Sequence, residues 1–163
     1  MAGPKVDQLN LRILEELQAH ARITNQELAD KVALSPSACL VRVRRLEADG
    51  IISGYLADVD LERLAPVIEA FIEVTLGNHD RAELTRFEAA MVAHPHVVAC
   101  HRISGQFDCL LQVVAQDIQQ LRQVADSLLS GGLGVAKIAT LPVLDRIKRF
   151  SGYPLRRILR GNE

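Results

Sequence analysis

The chain has 163 residues, 48% of them hydrophobic, and a formal net charge of −1, which suits one ordinary domain or two small ones with a real core and argues against disorder. No apolar run approaches the roughly twenty residues that span a bilayer, and the start MAGPKVDQ has no hydrophobic signal region, so a cytoplasmic protein is expected. Cys39, Cys100 and Cys109 show no paired spacing and read as buried thiols rather than a disulfide framework or zinc site, while scarce aromatics weigh against single-strand nucleic-acid folds.

From Asp7 to Gly50 the pattern is helical. Leu9, Ile13, Leu14 and Leu17 recur at helical spacing and predict the first helix. A second opens at Thr24, whose capping box is completed by Glu27, and buries Leu28, Ala29 and Val32. Ser35 followed by Pro36 marks the third start, an N-cap side chain and then a proline at the first helical position. After Gly50 the period shifts toward two. IISGYLADVD and VIEAFIEVTL read as strands, DRAELTRFEAAMVAH as an amphipathic helix, VVACHRIS and FDCLLQVVA as strands around a turn at Gly105, DIQQLRQVADSLLS as a helix and VAKIATLPVLDRIK as a last strand.

The expectation is therefore α+β: a three-helix helix-turn-helix domain, then a ferredoxin-like β-α-β-β-α-β domain with two helices on one face of a four-stranded antiparallel sheet. The other face needs a cover, and a symmetric partner supplies one. Pro142 places the last strand at an edge or on a bulge. The expected divisions are 1–52 for the helical domain, 53–65 for a hinge strand or linker, 66–150 for the second domain and 151–163 for a basic tail.

On the third helix, Cys39, Val43 and Leu46 form one narrow stripe that must face the core. Ser37, Val41 and Arg44 lie opposite, with Leu40 and Arg45 flanking. Arg42 falls at the boundary, placed equally well to meet an acid of its own domain or a phosphate. A basic outer face on the second helix of such a pair suits a recognition helix in the major groove, where Leu40 or Val41 reads a thymine methyl and Arg44 a guanine edge or a phosphate. The expected DNA-facing set is Ser35, Ser37, Ala38, Leu40, Val41, Arg42, Arg44 and Arg45. Three arginines on a helix also suit a merely solvated face.

ARITNQELADKVALSPSACLVRVRRLEADGII in the first half and SGQFDCLL in the second, in this order and at this length, resemble the Lrp/AsnC family of feast/famine transcriptional regulators. The likeness runs from Val6 to about Phe150. It implies a winged or plain helix-turn-helix, a hinge strand near residues 53–60 and a ligand-sensing, oligomerising second domain, with dimers formed through the sheets and assembled further into tetramers, rings or octamers. Two positions depart from the family pattern: Cys109, where an aromatic is usual, and Val41, where a polar or basic residue is frequent. The first bears on ligand identity and the second on the operator.

Within RISGQFDCLL, a glycine-bearing turn leaves the N–H groups of Gly105, Gln106 and Phe107 available for a carboxylate, and Asp108 offers an anion for an ammonium. A plain hairpin in which Asp108 caps the turn fits the same spacing. The resemblance implies an amino-acid effector around this loop, commonly between dimers, with Ile118, Thr140, Pro142 and Val143 as further candidates for the pocket wall.

HPHVVACH packs three histidines and a cysteine together, but Cys100 and His101 point to opposite faces of a strand, so no metal site is expected. GGLG follows a helix and reads as its stop. No nucleophile with a base, carboxylate pair or cofactor fingerprint supports an enzyme or a cofactor. The expected function is a sequence-specific DNA-binding regulator, not an enzyme, that answers to an amino acid or related metabolite. The rival is an architectural DNA-coating protein indifferent to effectors, marked by sequence-indifferent, salt-dependent binding. The basic end, Arg146 to Arg160, is expected to meet DNA phosphates or the acidic middle of a neighbouring subunit.

Overall fold

The computed structural model describes residues 6–159 and divides the chain into two compact units. The first runs to Val59 and takes in the segment from Lys148 onward, and the second spans Asp60–Ile147. The last residues of the expected basic tail, Arg160 among them, lie outside the described residues.

Three helices open the first unit: α1 (Gln8–Ala19), α2 (Asn25–Val32) and α3 (Pro36–Ala48). Each begins on a side-chain cap. Asp7 accepts the Asn10 N–H at 2.7 Å, and Ser35 accepts the Ala38 N–H at 3.3 Å. At α2 the box is reciprocal: Thr24 Oγ1 accepts the Glu27 N–H at 3.2 Å and Glu27 Oε2 accepts the Thr24 N–H at 2.9 Å. These caps satisfy donors that a helix start otherwise leaves unpaired. Between α2 and α3, Ala33 adopts the left-handed conformation (φ 58°, ψ 47°), and its N–H closes on the Ala29 and Asp30 carbonyls. Ile13, Leu28, Val32, Cys39 and Leu46 meet at the centre.

The second unit opens with a single helical turn, α4 (Leu61–Leu64), which the sequence pattern does not announce. There follow β1 (Ile68–Leu76), α5 (Arg81–Ala93), β2 (Val97–Arg102), β3 (Cys109–Ala115), α6 (Ile118–Ser130) and β4 (Val135–Pro142). All pairings are antiparallel in the order β2-β3-β1-β4. Alternate residues of β1 and β3 are buried, Ile72, Val74, Leu111 and Val113 fully so, against Phe87 and Met91 of α5 and Leu121 and Leu128 of α6. A period of two in the strands thus meets the helical stripes on one face of the sheet.

Several expectations need amending. Residues 53–60 form no strand, because an extended segment becomes one only beside a hydrogen-bonding neighbour and the described residues supply none there. β4 stops at Pro142 instead of running on toward Lys148; it is an edge strand, with a register shift opposite Thr75 and Leu76. Cys39 and Cys109 are buried, but Cys100 is exposed on the edge strand β2. A short helix, α7 (Leu155–Leu159), stands in the expected tail and packs on α1. No helix among the described residues is long and apolar enough to cross a membrane.

Candidate DNA interface and sensing loop

The recognition helix is oriented from its first turn. Asn25, at the start of α2, donates from Nδ2 to the Pro36 carbonyl at 2.9 Å, fixing one helix start against the other. That link is invisible in the sequence because it depends on the turn between them. Cys39 and Leu46 are buried and Val43 half-buried, so α3 presents the opposite side outward. Val41 is 67% exposed, too open for a core residue, and Leu40 and Ser37 are exposed beside it. Ser35 is occupied as the N-cap and lies 3.2 Å from the Ser37 hydroxyl, and Ala38 is half-buried.

The three arginines separate. Arg44 is exposed and makes no hydrogen bond or ion pair with any described residue. Arg45 has only a loose approach to Asp49, 3.7 Å from Nε, with 81% of its side chain exposed. Arg42 is engaged at home: its Nη1 donates to Asp7 Oδ2 at 2.7 Å and to Asn10 Oδ1 at 2.9 Å. Of the two options open to Arg42, the acid of its own domain is the one occupied, which removes it from the set of cations facing outward. The Asn10 N–H and then Arg42 hold the Asp7 carboxyl below its usual range. Arg22, just before the α2 cap, is exposed and likewise without a partner among the described residues. It carries no motif and so escaped the sequence reading.

In the second unit, the turn from Ile103 to Asp108 joins β2 to β3. The Ile103 N–H reaches the Asp108 carbonyl at 3.0 Å, and the Asp108 N–H reaches the Val74 carbonyl at 2.8 Å. Between them the N–H groups of Ser104, Gly105, Gln106 and Phe107 make no hydrogen bond with any described residue. Gly105 has φ 153°, a conformation that disfavours a side chain. Gln106 is exposed and Phe107 half-buried.

Asp108 is already committed. Its Oδ2 accepts the Leu76 N–H at 2.8 Å, and its Oδ1 lies 2.7 Å from His79 Nε2. The Leu76 N–H first, and His79 second, hold this carboxyl below its usual value. Asp108 therefore ties its loop to the end of β1 and to the connection before α5. His79, the partner, sits in a GNHD turn and carried no sequence signal of its own.

The remaining wall candidates are elsewhere. Pro142 pairs with Ala70, the Val143 N–H reaches the Glu69 carbonyl at 2.8 Å, and Ile118 follows the strand residue Ala115 that pairs with Ile68. All three mark the start of β1, whereas Asp108 holds its far end at Leu76. Six residues of strand at about 3.3 Å each put roughly 20 Å between Ala70 and Leu76. Thr140 pairs with the buried Ile72 in mid-strand and shares its helix-facing side. Within one chain the eight candidates do not form one pocket.

His94, His96, Cys100 and His101 serve local structure or face apart. The His96 ring donates from Nδ1 to the Val114 carbonyl at 3.1 Å, the His96 N–H reaches His94 Nδ1 at 3.2 Å, and Cys100 and His101 pair with Leu111 and Leu110 on opposite faces. No three potential metal ligands gather among the described residues. Gly131 caps α6, with its N–H on the Ser127 carbonyl.

Comparison with known proteins covers both units. A family model described as Winged helix-turn-helix DNA-binding matches residues 6–53, and one described as Lrp/AsnC ligand binding domain matches residues 69–153. The Leucine-responsive regulatory protein of Salmonella typhimurium is 36% identical over 147 residues, 90% of each chain, and that of Escherichia coli K12 is 35% identical over the same span. Among solved structures, a transcriptional regulator from Neisseria meningitidis in complex with L-Met aligns with TM-score 0.86 at 35% identity over 94% of this chain and 99% of that one. An AsnC family regulator from Agrobacterium tumefaciens aligns with TM-score 0.85 at 28% identity over 93% and 99%.

Proposed function

The chain belongs to the Lrp/AsnC family of DNA-binding transcriptional regulators, and from that premise we propose that α3 reads duplex DNA in the major groove and that the loop from Ser104 to Asp108 receives an amino acid. The observation that carries the DNA half is the sorting of α3: an apolar side committed to the core, and an outward side where Val41 and Arg44 have no partner among the described residues. Val41 suits a thymine methyl and Arg44 a guanine edge. Ser37, Leu40 and Arg45 flank them. Ser35 and Ala38 act by starting the helix, and Arg42 acts by holding α3 to α1.

The unpaired N–H groups of the loop suit the effector's carboxylate. Each oxygen of Asp108 keeps a further lone pair, so the residue that secures the loop also has acceptor capacity left for an ammonium. The names of the relatives favour an apolar amino acid such as leucine or methionine. Ile118, Thr140, Pro142 and Val143 lie too far along the sheet to complete that pocket from the same chain, so they belong to it only as contributions from another copy. The open face of the sheet, which carries Phe71 and Leu141, calls for such a copy. A homodimer that assembles further, acting where the DNA is, in the cytoplasm, fits this reading.

The test is a thermal-shift screen of the twenty amino acids, followed by DNA titration with and without any that bind. A ligand that binds only the folded state raises the melting temperature. An amino acid that does so and changes DNA affinity supports the proposal. No shift with any of them, together with equal affinity for all duplexes, would leave the architectural alternative.

A further inference from the structure

With a formal net charge of −1 the chain has no general attraction for DNA, so phosphate binding must come from single cations placed where a backbone passes. Several cations of the first three helices are spent at home. Arg12 donates from Nη2 to the Lys31 carbonyl at 3.1 Å, Lys31 pairs with Glu16 at 2.7 Å, and Arg42 is held by Asp7 and Asn10. Arg22, between α1 and α2, is exposed and makes no hydrogen bond or ion pair with any described residue. The acid nearest to it along the chain, Glu27, is turned onto Thr24: its Oε2 accepts the Thr24 N–H at 2.9 Å and the Thr24 hydroxyl at 2.8 Å. Arg22 thus keeps its whole charge for an outside partner.

Its place matters as much as its charge. Asn25 ties the start of α2 to the start of α3 through the Pro36 carbonyl, and Arg22 stands three residues before Asn25, within about 11 Å of that tie. A helix with its side chains is about 10–12 Å across and the major groove about 12 Å wide, so a helix seated there has a row of phosphates along each side. The preceding helix of such a pair crosses one of those rows. We propose that Arg22 is a DNA-backbone contact, a long cation at the approach to α2 that grips a phosphate on the groove edge beside α3 and adds affinity without reading a base. The inference rests on the reading of α3 as the helix in the major groove, and adds to it a residue that lies off α3 altogether.

The probe is a duplex drawn by the wild-type protein from a random-sequence pool, with a scrambled duplex of the same length and composition beside it. Affinity for both is measured from about 50 to 200 mM potassium chloride. The slope of log affinity against log salt counts the phosphates neutralised, at about 0.9 each. Arg22→Ala should weaken binding about fivefold to tenfold on both duplexes alike and make the slope shallower by about 0.9. Arg22→Lys, which keeps the charge, should retain the wild-type slope. Both variants should melt with wild type, since the side chain holds no other described residue in place. An unchanged slope in Arg22→Ala overturns the proposal. So does a loss confined to the selected duplex, which would make Arg22 a base reader, or a lysine variant with a slope as shallow as that of alanine. A wild-type protein that binds no duplex at all fails the functional reading first and takes the inference with it.

Discussion

Replacing Asp108 tests the sensing loop at its most constrained atom pair. Asp108→Ala removes the acceptor of the Leu76 N–H and the partner of His79 in one step, at a side chain only 25% exposed. Losing a hydrogen bond to a charged acceptor and leaving a part-buried donor unpaired costs about 2 kcal/mol. For a unit of this size each kcal/mol moves the midpoint by about 4–8 °C, so the variant should melt roughly 10 °C below wild type at neutral pH. Asp108→Asn keeps an oxygen for Leu76 and should melt much closer to wild type. Because the folded carboxyl sits below its usual value, the stabilisation from its charge is complete above the unfolded pKa, about 3.9, and is lost as pH falls through the lower folded value. The gap between wild type and Asp108→Asn should therefore shrink as pH falls below about 4. Calorimetry across that range gives the comparison, with DNA binding followed in parallel. Both variants should retain DNA affinity while Asp108→Asn loses the amino-acid response. An alanine variant that melts with wild type, or a gap to Asp108→Asn that does not narrow at all as pH falls below about 4, refutes the reasoning about the loop. Full effector affinity in Asp108→Asn refutes the ammonium contact.

Arg44→Ala should weaken specific DNA binding by about 1–3 kcal/mol and relax preference at one base pair in a binding-site selection, whereas an equal loss on every sequence would make Arg44 a phosphate contact. Arg42→Ala should instead lower the melting temperature of the helical unit while leaving the selected sequence unchanged, because its guanidinium is spent on Asp7 and Asn10. Thr24→Ala should cost about 1 kcal/mol in urea unfolding through the loss of the α2 cap, and Thr24→Ser should recover most of it.

What could be read in advance follows from how local each signal is. Thr24 and Glu27, or Ser35 and Pro36, report a helix start within four residues, and alternation along β1 reports a half-buried strand because its period is two. The side of α3 that carries Val41 and Arg44 was legible for the same reason. Arg42 was legible only as a choice: its own helix says where it points, while Asp7 lies 35 positions away. The hydrogen bond from the Tyr153 N–H to Gln18 spans 135 positions and carries no local pattern at all. The pocket wall was hidden in a similar manner, since Asp108 and Pro142 fall toward opposite ends of β1 and the sequence does not say which copy of the chain each would serve.

That strand length also fixes a thermodynamic order. A free amino acid is far shorter than the roughly 20 Å between Asp108 and Pro142. One that touched both groups would have to lie between copies of the chain, and its apparent affinity would climb as the protein was concentrated and fade on dilution. Titrations at two protein concentrations would then give two dissociation constants, where a pocket closed within one chain gives one.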